Sequence, residues 1–172
     1  MMDIRSTVRG LAAAALVPAL AVPAAARWID TIDGWEVTMT GRTCTMTTSF
    51  SDNTAVGLVW SPATSELGFV AATPPTSDIA GRKTAPLALT FDGKSPVTEW
   101  EDQAAAVIPG DDRVGLVGHW GAEHTGQLAD AVEAARHVRV RIGGRDLGEY
   151  ELGESRAAYQ ALLKCGRLLG GE

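Results

Sequence analysis

The sequence predicts an α+β domain, mainly an antiparallel β meander or sheet, with two helices and one disulfide. Three observations point to it. From Trp35 to Ala72, four short runs alternate apolar and polar residues between turn signals, as in a sheet with one buried face. Two later stretches, near residues 125–135 and 155–169, carry apolar residues at helical spacing. Cys44 and Cys165 are the only cysteines, one near each end of the chain that remains after a leader is removed.

The leader comes first in the chain. Arg5 and Arg9 precede the apolar run Leu11–Val22, and Pro23, Ala24, Ala25 and Ala26 supply small residues of the kind a signal peptidase accepts. Residues 1–26 therefore read as a secretory signal peptide, with Arg27 as the first residue of the mature protein. The run is shorter than the roughly 20 residues that span a bilayer, so no membrane insertion is expected after cleavage. The 172-residue chain less these 26 leaves 146, the size of a single domain, 27–172.

The elements follow in order. Trp35 to Met39 alternates, Gly41-Arg42 suits a type II′ hairpin, and Thr43 to Phe50 places Cys44, Met46 and Phe50 on one face. Ser51-Asp52-Asn53 is a turn. Ala55–Trp60 aligns Val56, Leu58 and Trp60, and after a loop at Ser61–Ser65 a strand over Glu66–Ala72 carries Leu67 and Phe69. Thr73–Lys83, with Pro74-Pro75, is a loop. Thr84–Phe91 is a strand, Asp92-Gly93-Lys94 a turn, and Pro96–Trp100 a short return strand. Ala104–Ile108 fits strand or helix, Pro109 to Asp112 is a turn, and Val114–Val117 is a strand.

Thr125 is placed to cap a helix running to about Ala135, with Leu128, Ala131, Val132 and Ala135 on one stripe. His137–Ile142 is a strand, Gly143-Gly144 a turn, and Leu147–Leu152 a return strand that needs a bulge at Gly148 to restore its alternation. Ser155 opens the last helix, which carries Ala158, Tyr159, Leu162, Leu163 and Cys165, with Cys165 near its apolar stripe.

Composition narrows function. Of 15 basic and 21 acidic residues, Arg5, Arg9 and Asp3 lie in the leader, so the mature charge is near −7. That disfavours nucleic acid and anionic lipid as partners and suits a basic partner or ordinary solubility. In an oxidising compartment Cys44 and Cys165 form a staple. Their spacing matches no metal or redox motif, and no phosphate-cradling loop or other cofactor signature appears.

Four groups of residues merit attention as sites. Gly153-Glu154-Ser155-Arg156-Ala157 approximates a nucleophile elbow, but no histidine follows Ser155, so the serine reads as a helix cap and no catalytic residue is assigned. His119, Glu123 and His124 are metal-competent and close in sequence, although Gly121 between them argues against a helical ligand face. Arg136, Arg139, Arg141 and Arg145 can grip an anion, or pair with Asp146, Glu149 and Glu151 across a hairpin. Trp28, Trp100 and Trp120 fall at element ends or loops, where an exposed indole can anchor a partner, whereas Trp35 and Trp60 face the core.

Gly34-Trp35-x-Val37 with Cys44 soon after, the meander, and the closing Leu152-Gly153-x-Ser155-x-Ala157-Ala158 and Leu162-x-x-Cys165 resemble small exported alphaproteobacterial proteins, uncharacterised or of the invasion-associated locus B type. The resemblance implies an exported protein and carries over no catalytic residue. The expectation is a non-enzymatic periplasmic or secreted protein that binds another protein or an envelope component. The alternatives are a periplasmic inhibitor of a basic hydrolase such as lysozyme or a protease, and a metal-dependent hydrolase using His119, Glu123 and His124.

Overall fold

A computed structural model describes residues 27–76, 79, 81–92, 99–109, 113–119 and 122–170. The leader expected over residues 1–26 lies outside the described residues. The elements are β1 (Arg27–Ile32), β2 (Trp35–Thr40), β3 (Thr43–Ser49), β4 (Ala55–Ser61), β5 (Glu66–Thr73), β6 (Thr84–Phe91), β7 (Glu99–Pro109), β8 (Val114–His119), α1 (Thr125–Ala134), β9 (His137–Ile142), β10 (Arg145–Glu151) and α2 (Ser155–Gly170). The fold is α+β, but the sheet dominates: ten strands form one antiparallel sheet in the order β1-β2-β3-β4-β5-β8-β7-β6-β9-β10.

The alternating pattern sets the register. Val37, Met46, Leu58 and Phe69 stand side by side across β2 to β5, all buried, because a period of two sends each to the same face. The inner face continues through Leu116 of β8, Leu87 and Leu89 of β6, Val138 and Val140 of β9 and Tyr150 of β10. One core cluster joins all of these to both helices.

The sheet curls on itself. Phe69 of β5 and Phe91 of β6 are separated in strand order by β8 and β7, yet their rings meet edge to face with centroids 6.3 Å apart. Two seams bring β10 back to the first hairpins. The Trp35 indole N–H donates to the Leu152 carbonyl at 2.9 Å, and the Phe50 and Tyr150 rings lie 4.7 Å apart. The Tyr150 hydroxyl has a single proton, placed between the Leu147 carbonyl at 3.0 Å and the Asp52 carboxylate at 3.2 Å.

α2 lies across β1 to β4, and α1 packs beside it against β5. Ala158, Ala161, Leu162 and Cys165 follow at i, i+3, i+4 and i+7, so one stripe of α2 is buried. Cys165 on that stripe is bonded to Cys44 on β3, with the two Cα atoms 6.1 Å apart at a sequence separation of 121. Among the described residues no helix is long and apolar enough to cross a membrane.

Several expectations change. β1 is an additional strand, which the alternating runs do not announce because its register shifts between Trp28 and Asp30. Ala104–Ile108 belongs to a long β7, with no helix there. Neither expected helix cap acts as one. His124 precedes α1, and the Thr125 hydroxyl instead accepts a hydrogen bond from the Leu67 backbone N–H at 3.3 Å. The Ser155 hydroxyl is buried and donates to the Val132 carbonyl at 2.8 Å, tying α2 to α1. The expected bulge in β10 is present, with the register shifting between Asp146 and Gly148.

Candidate functional site

The structure does not assemble His119, Glu123 and His124 into a ligand set. His119 ends β8 on the outer face, where its ring lies over Gly68. Glu123 and His124 sit in the 3-10 turn Ala122–His124 and face each other, with Glu123 Oε1 and His124 Nδ1 3.3 Å apart. Among the described residues no three histidine, cysteine or acidic side chains gather to hold a metal ion.

The arginine hairpin is balanced by its neighbours. Arg139 lies opposite Glu149, and Arg141 opposite Asp146, across β9 and β10. The Arg139 guanidinium is 3.5 Å from Asp146 and 4.0 Å from Glu149, with all three side chains more than half exposed. Arg136 precedes β9 and Arg145 opens β10, and among the described residues neither joins that group. The backbone N–H of Arg136 donates to Asp92 Oδ1 at 2.8 Å. Side-chain positions of Trp28 and Trp100, and Trp120 altogether, lie outside the described residues. Trp35 is core as expected, and Trp60 is half-buried.

Asp92 forms a clasp at the start of β9. Its carboxylate accepts from the His137 backbone N–H at 2.6 Å and meets His137 Nδ1 at 3.0 Å. The hydrogen bond to the His137 side chain, followed by the one from its backbone, holds the Asp92 carboxyl below its ordinary value. The same side-chain bond raises the His137 imidazole, with the charges of Asp92, Glu149 and Glu151 acting in the same direction. The clasp fastens the end of α1 to the end of β6, a structural task. Burial raises the Tyr150 hydroxyl, and the nearby Asp52 and Asp146 carboxylates push the same way.

The most distinctive surface is one that the sequence reading left unremarked. On the outer face, Thr47, Gly57, Val70, Val117 and Ala106 form one row across β3, β4, β5, β8 and β7. Ala55, Ala72, Gly115 and Ile108 form the next. Neither helix covers these rows, since both pack on the inner face. The rows enclose a shallow groove of about 350 Å³, with Arg113 at its end as the one charged lining residue. Gly57 is required there: a Cβ would stand 1.8 Å from the Met46 carbonyl oxygen, so no larger residue fits between β3 and β4. Ile108 is 53% exposed, one of two large apolar side chains so open among the described residues. A signal was present in the sequence, because Val59, Val70 and Val117 are apolar at outward positions of alternating strands. Only the pairing register shows that Val70 and Val117 are adjacent.

No protein-family model, curated protein or solved structure matches the chain.

Proposed function

We propose that the chain is an exported, non-enzymatic protein that binds another protein or an envelope component, and that the outer face of its sheet is the contact surface. The observation that carries the reading is the uncovered groove between Val70, Val117, Ala72 and Ile108. Apolar residues on the open face of a sheet lose nothing in the monomer by being polar. Clustered around small residues, they gain by meeting a complementary surface. The disulfide and the leader expected over residues 1–26 support an oxidising destination, periplasmic or extracellular. The resemblance to small exported proteins, uncharacterised or of the invasion-associated locus B type, points to the same setting.

The reading is tested with the native protein and a Val70→Asp/Ile108→Glu variant, both presented to envelope extract from the producing cell with cross-linking in place. A partner that the native protein retains and the variant loses, at unchanged melting temperature, is expected. Equal retention by both proteins removes the outer face from the proposal. Amino-terminal sequencing of the exported form should begin at Arg27, and a chain that still starts at Met1 in the cytoplasm would defeat the export reading.

A further inference from the structure

A second cleft lies on the other side of the sheet, where the end of α2 meets the hairpin turns. Trp60 near the end of β4 and Pro62 in the next turn face Leu163, Gly166, Arg167 and Gly170 of α2 across a hollow of about 400 Å³. A smaller hollow of about 220 Å³ shares Pro62 and Gly170 and adds Arg42, from the turn between β2 and β3. The two hollows adjoin at Pro62 and Gly170, and an arginine lines each.

Four features give this cleft a chemistry. First, its walls are fixed to each other. Cys44 pairs in register with Trp60, and Cys165 immediately precedes Gly166, so the disulfide pins the strand wall to the helix wall. A site held in this way loses little freedom when it binds. Second, Gly166 sits inside a helix, where glycine is unfavourable, and a Cβ there would come within 2.7 Å of Trp60 Nε1. The glycine lets the indole edge lie against the helix backbone. Third, among the described residues the Trp60 N–H has no acceptor and neither Arg42 nor Arg167 has an acidic partner, in a chain whose net charge is −6. Fourth, the last carbonyls of α2 have no partner within the helix and form the negative end of its dipole.

These features together select a ligand class. A bare anion meets the arginines but also the helix carbonyls, which repel it. A neutral sugar satisfies the indole and the carbonyls but leaves both guanidinium groups idle. A ring with hydroxyls and one carboxylate uses everything present: its apolar ring face lies along Trp60, Pro62 and Leu163, its hydroxyls donate to the helix carbonyls, and its carboxylate takes the arginines. We propose that the cleft between Trp60 and the end of α2 binds a carboxylate-bearing sugar. This goes beyond the outer-face contact proposed above and stands or falls separately, since the two surfaces are on opposite faces of the sheet.

The test is a nuclear magnetic resonance titration of the oxidised protein with N-acetylmuramic acid and with glucuronic acid, which separate a cell-wall amino sugar from a hexuronate as the source. N-acetylglucosamine and lactate serve as the ring without the carboxylate and the carboxylate without the ring. Saturable movement of the Trp60 indole N–H signal, identified by its loss in Trp60→Phe, is expected with at least one sugar acid. Both comparators should bind about tenfold more weakly or worse. Arg42→Gln/Arg167→Gln should weaken binding by about tenfold or more at unchanged melting temperature. Gly166→Ala should abolish it by driving the indole into the cleft. The proposal is overturned by lactate or N-acetylglucosamine binding as well as the sugar acids. Unchanged affinity in the double arginine variant overturns it too, as does the absence of any saturable shift at millimolar ligand.

Discussion

The two halves of the sheet share one core and the same antiparallel hairpins, but they are fastened by different physics. β1 to β5 run in simple succession, and α2 lies across the inner face of β1 to β4, joined to it covalently through Cys44 and Cys165. β6 to β10 reverse direction in the sheet and are fastened by polar contacts: the Asp92–His137 clasp, the Arg139 ion pairs, and the seams from Trp35 to Leu152 and from Tyr150 to Asp52. The difference teaches where rigidity is placed. The stapled half holds the cleft beside Trp60, whereas the Asp92–His137 clasp and the Arg139 pairs of the other half are exposed to water, salt and protons.

The largest expected effect comes from removing the staple. Closing a loop across 121 residues gives on the order of 4–5 kcal/mol in the chain-entropy model and typically about 2–4 in practice. Cys44→Ala/Cys165→Ala should lower unfolding stability in urea by about that practical amount. Hydrogen exchange sharpens the comparison. β2, β3 and α2 should lose protection beyond the global loss, while β6 and β9 should follow the global value alone. Uniform loss in both halves would mean that the staple acts on the unfolded chain only and fastens neither half preferentially.

Next in size is the seam between the halves. Trp35→Phe removes the indole donor and leaves the Leu152 carbonyl without its partner in a buried site, a change of about 1–3 kcal/mol. Tyr150→Phe removes a hydroxyl that is only partly buried, and should cost about 0.5–1.5 kcal/mol. Equilibrium unfolding of both variants decides the order. If Tyr150→Phe proved the more damaging, the closing contact would lie at the Asp52 turn instead of at Leu152.

The halves also differ in how far the sequence announces them. The run from Trp35 to Ala72 is legible because each strand alternates and each turn is short, so that Val37, Met46, Leu58 and Phe69 imply their own register. β1 is hidden by its bulge, although Asp33 and Gly34, at φ 44° and 84°, form a two-residue turn whose Asp-Gly signal points to a hairpin. The order β5-β8-β7-β6-β9 is not local information. It follows from which apolar faces meet after the chain has returned through α1, and no run of residues encodes it alone. Capping logic fails at Thr125 and Ser155 because tertiary partners, the Leu67 N–H and the Val132 carbonyl, claim their hydroxyls. The outer groove and the Trp60 cleft are assembled from several elements each, so their residues become a site only in the folded sheet.

Smaller, and specific to the polar-fastened half, is a pH effect at the clasp. Asp92 is lowered on folding from an ordinary value of 3.8, so its stabilisation is present above that value and is lost as pH falls through its folded value. His137 is raised from 6.5, so its stabilisation is complete below 6.5 and is lost as pH rises through its folded value. The clasp is therefore strongest between these ordinary values and weakens on the alkaline side. The melting temperature should fall slightly as pH passes through the folded value of His137, as befits an exposed pair. His137→Asn should abolish that slope. A slope that survives the substitution would place its origin in another group.

The smallest expected effect is at the Arg139 ion pairs. The guanidinium and both carboxylates are more than half exposed, the geometry is loose at 3.5 and 4.0 Å, and pairs of this kind contribute about 0–1 kcal/mol. Arg139→Gln should thus change stability by under about 0.5 kcal/mol, and salt should narrow even that difference. Thermal melts at low and high ionic strength measure it. A larger, salt-sensitive loss would mean that β9 and β10 hold their register through charge, and the polar half would then be a network instead of a set of separate fasteners. A null result assigns the hairpin's register to Val138, Val140 and Tyr150, whose burial under the curled sheet requires one alignment and excludes a slip of one residue.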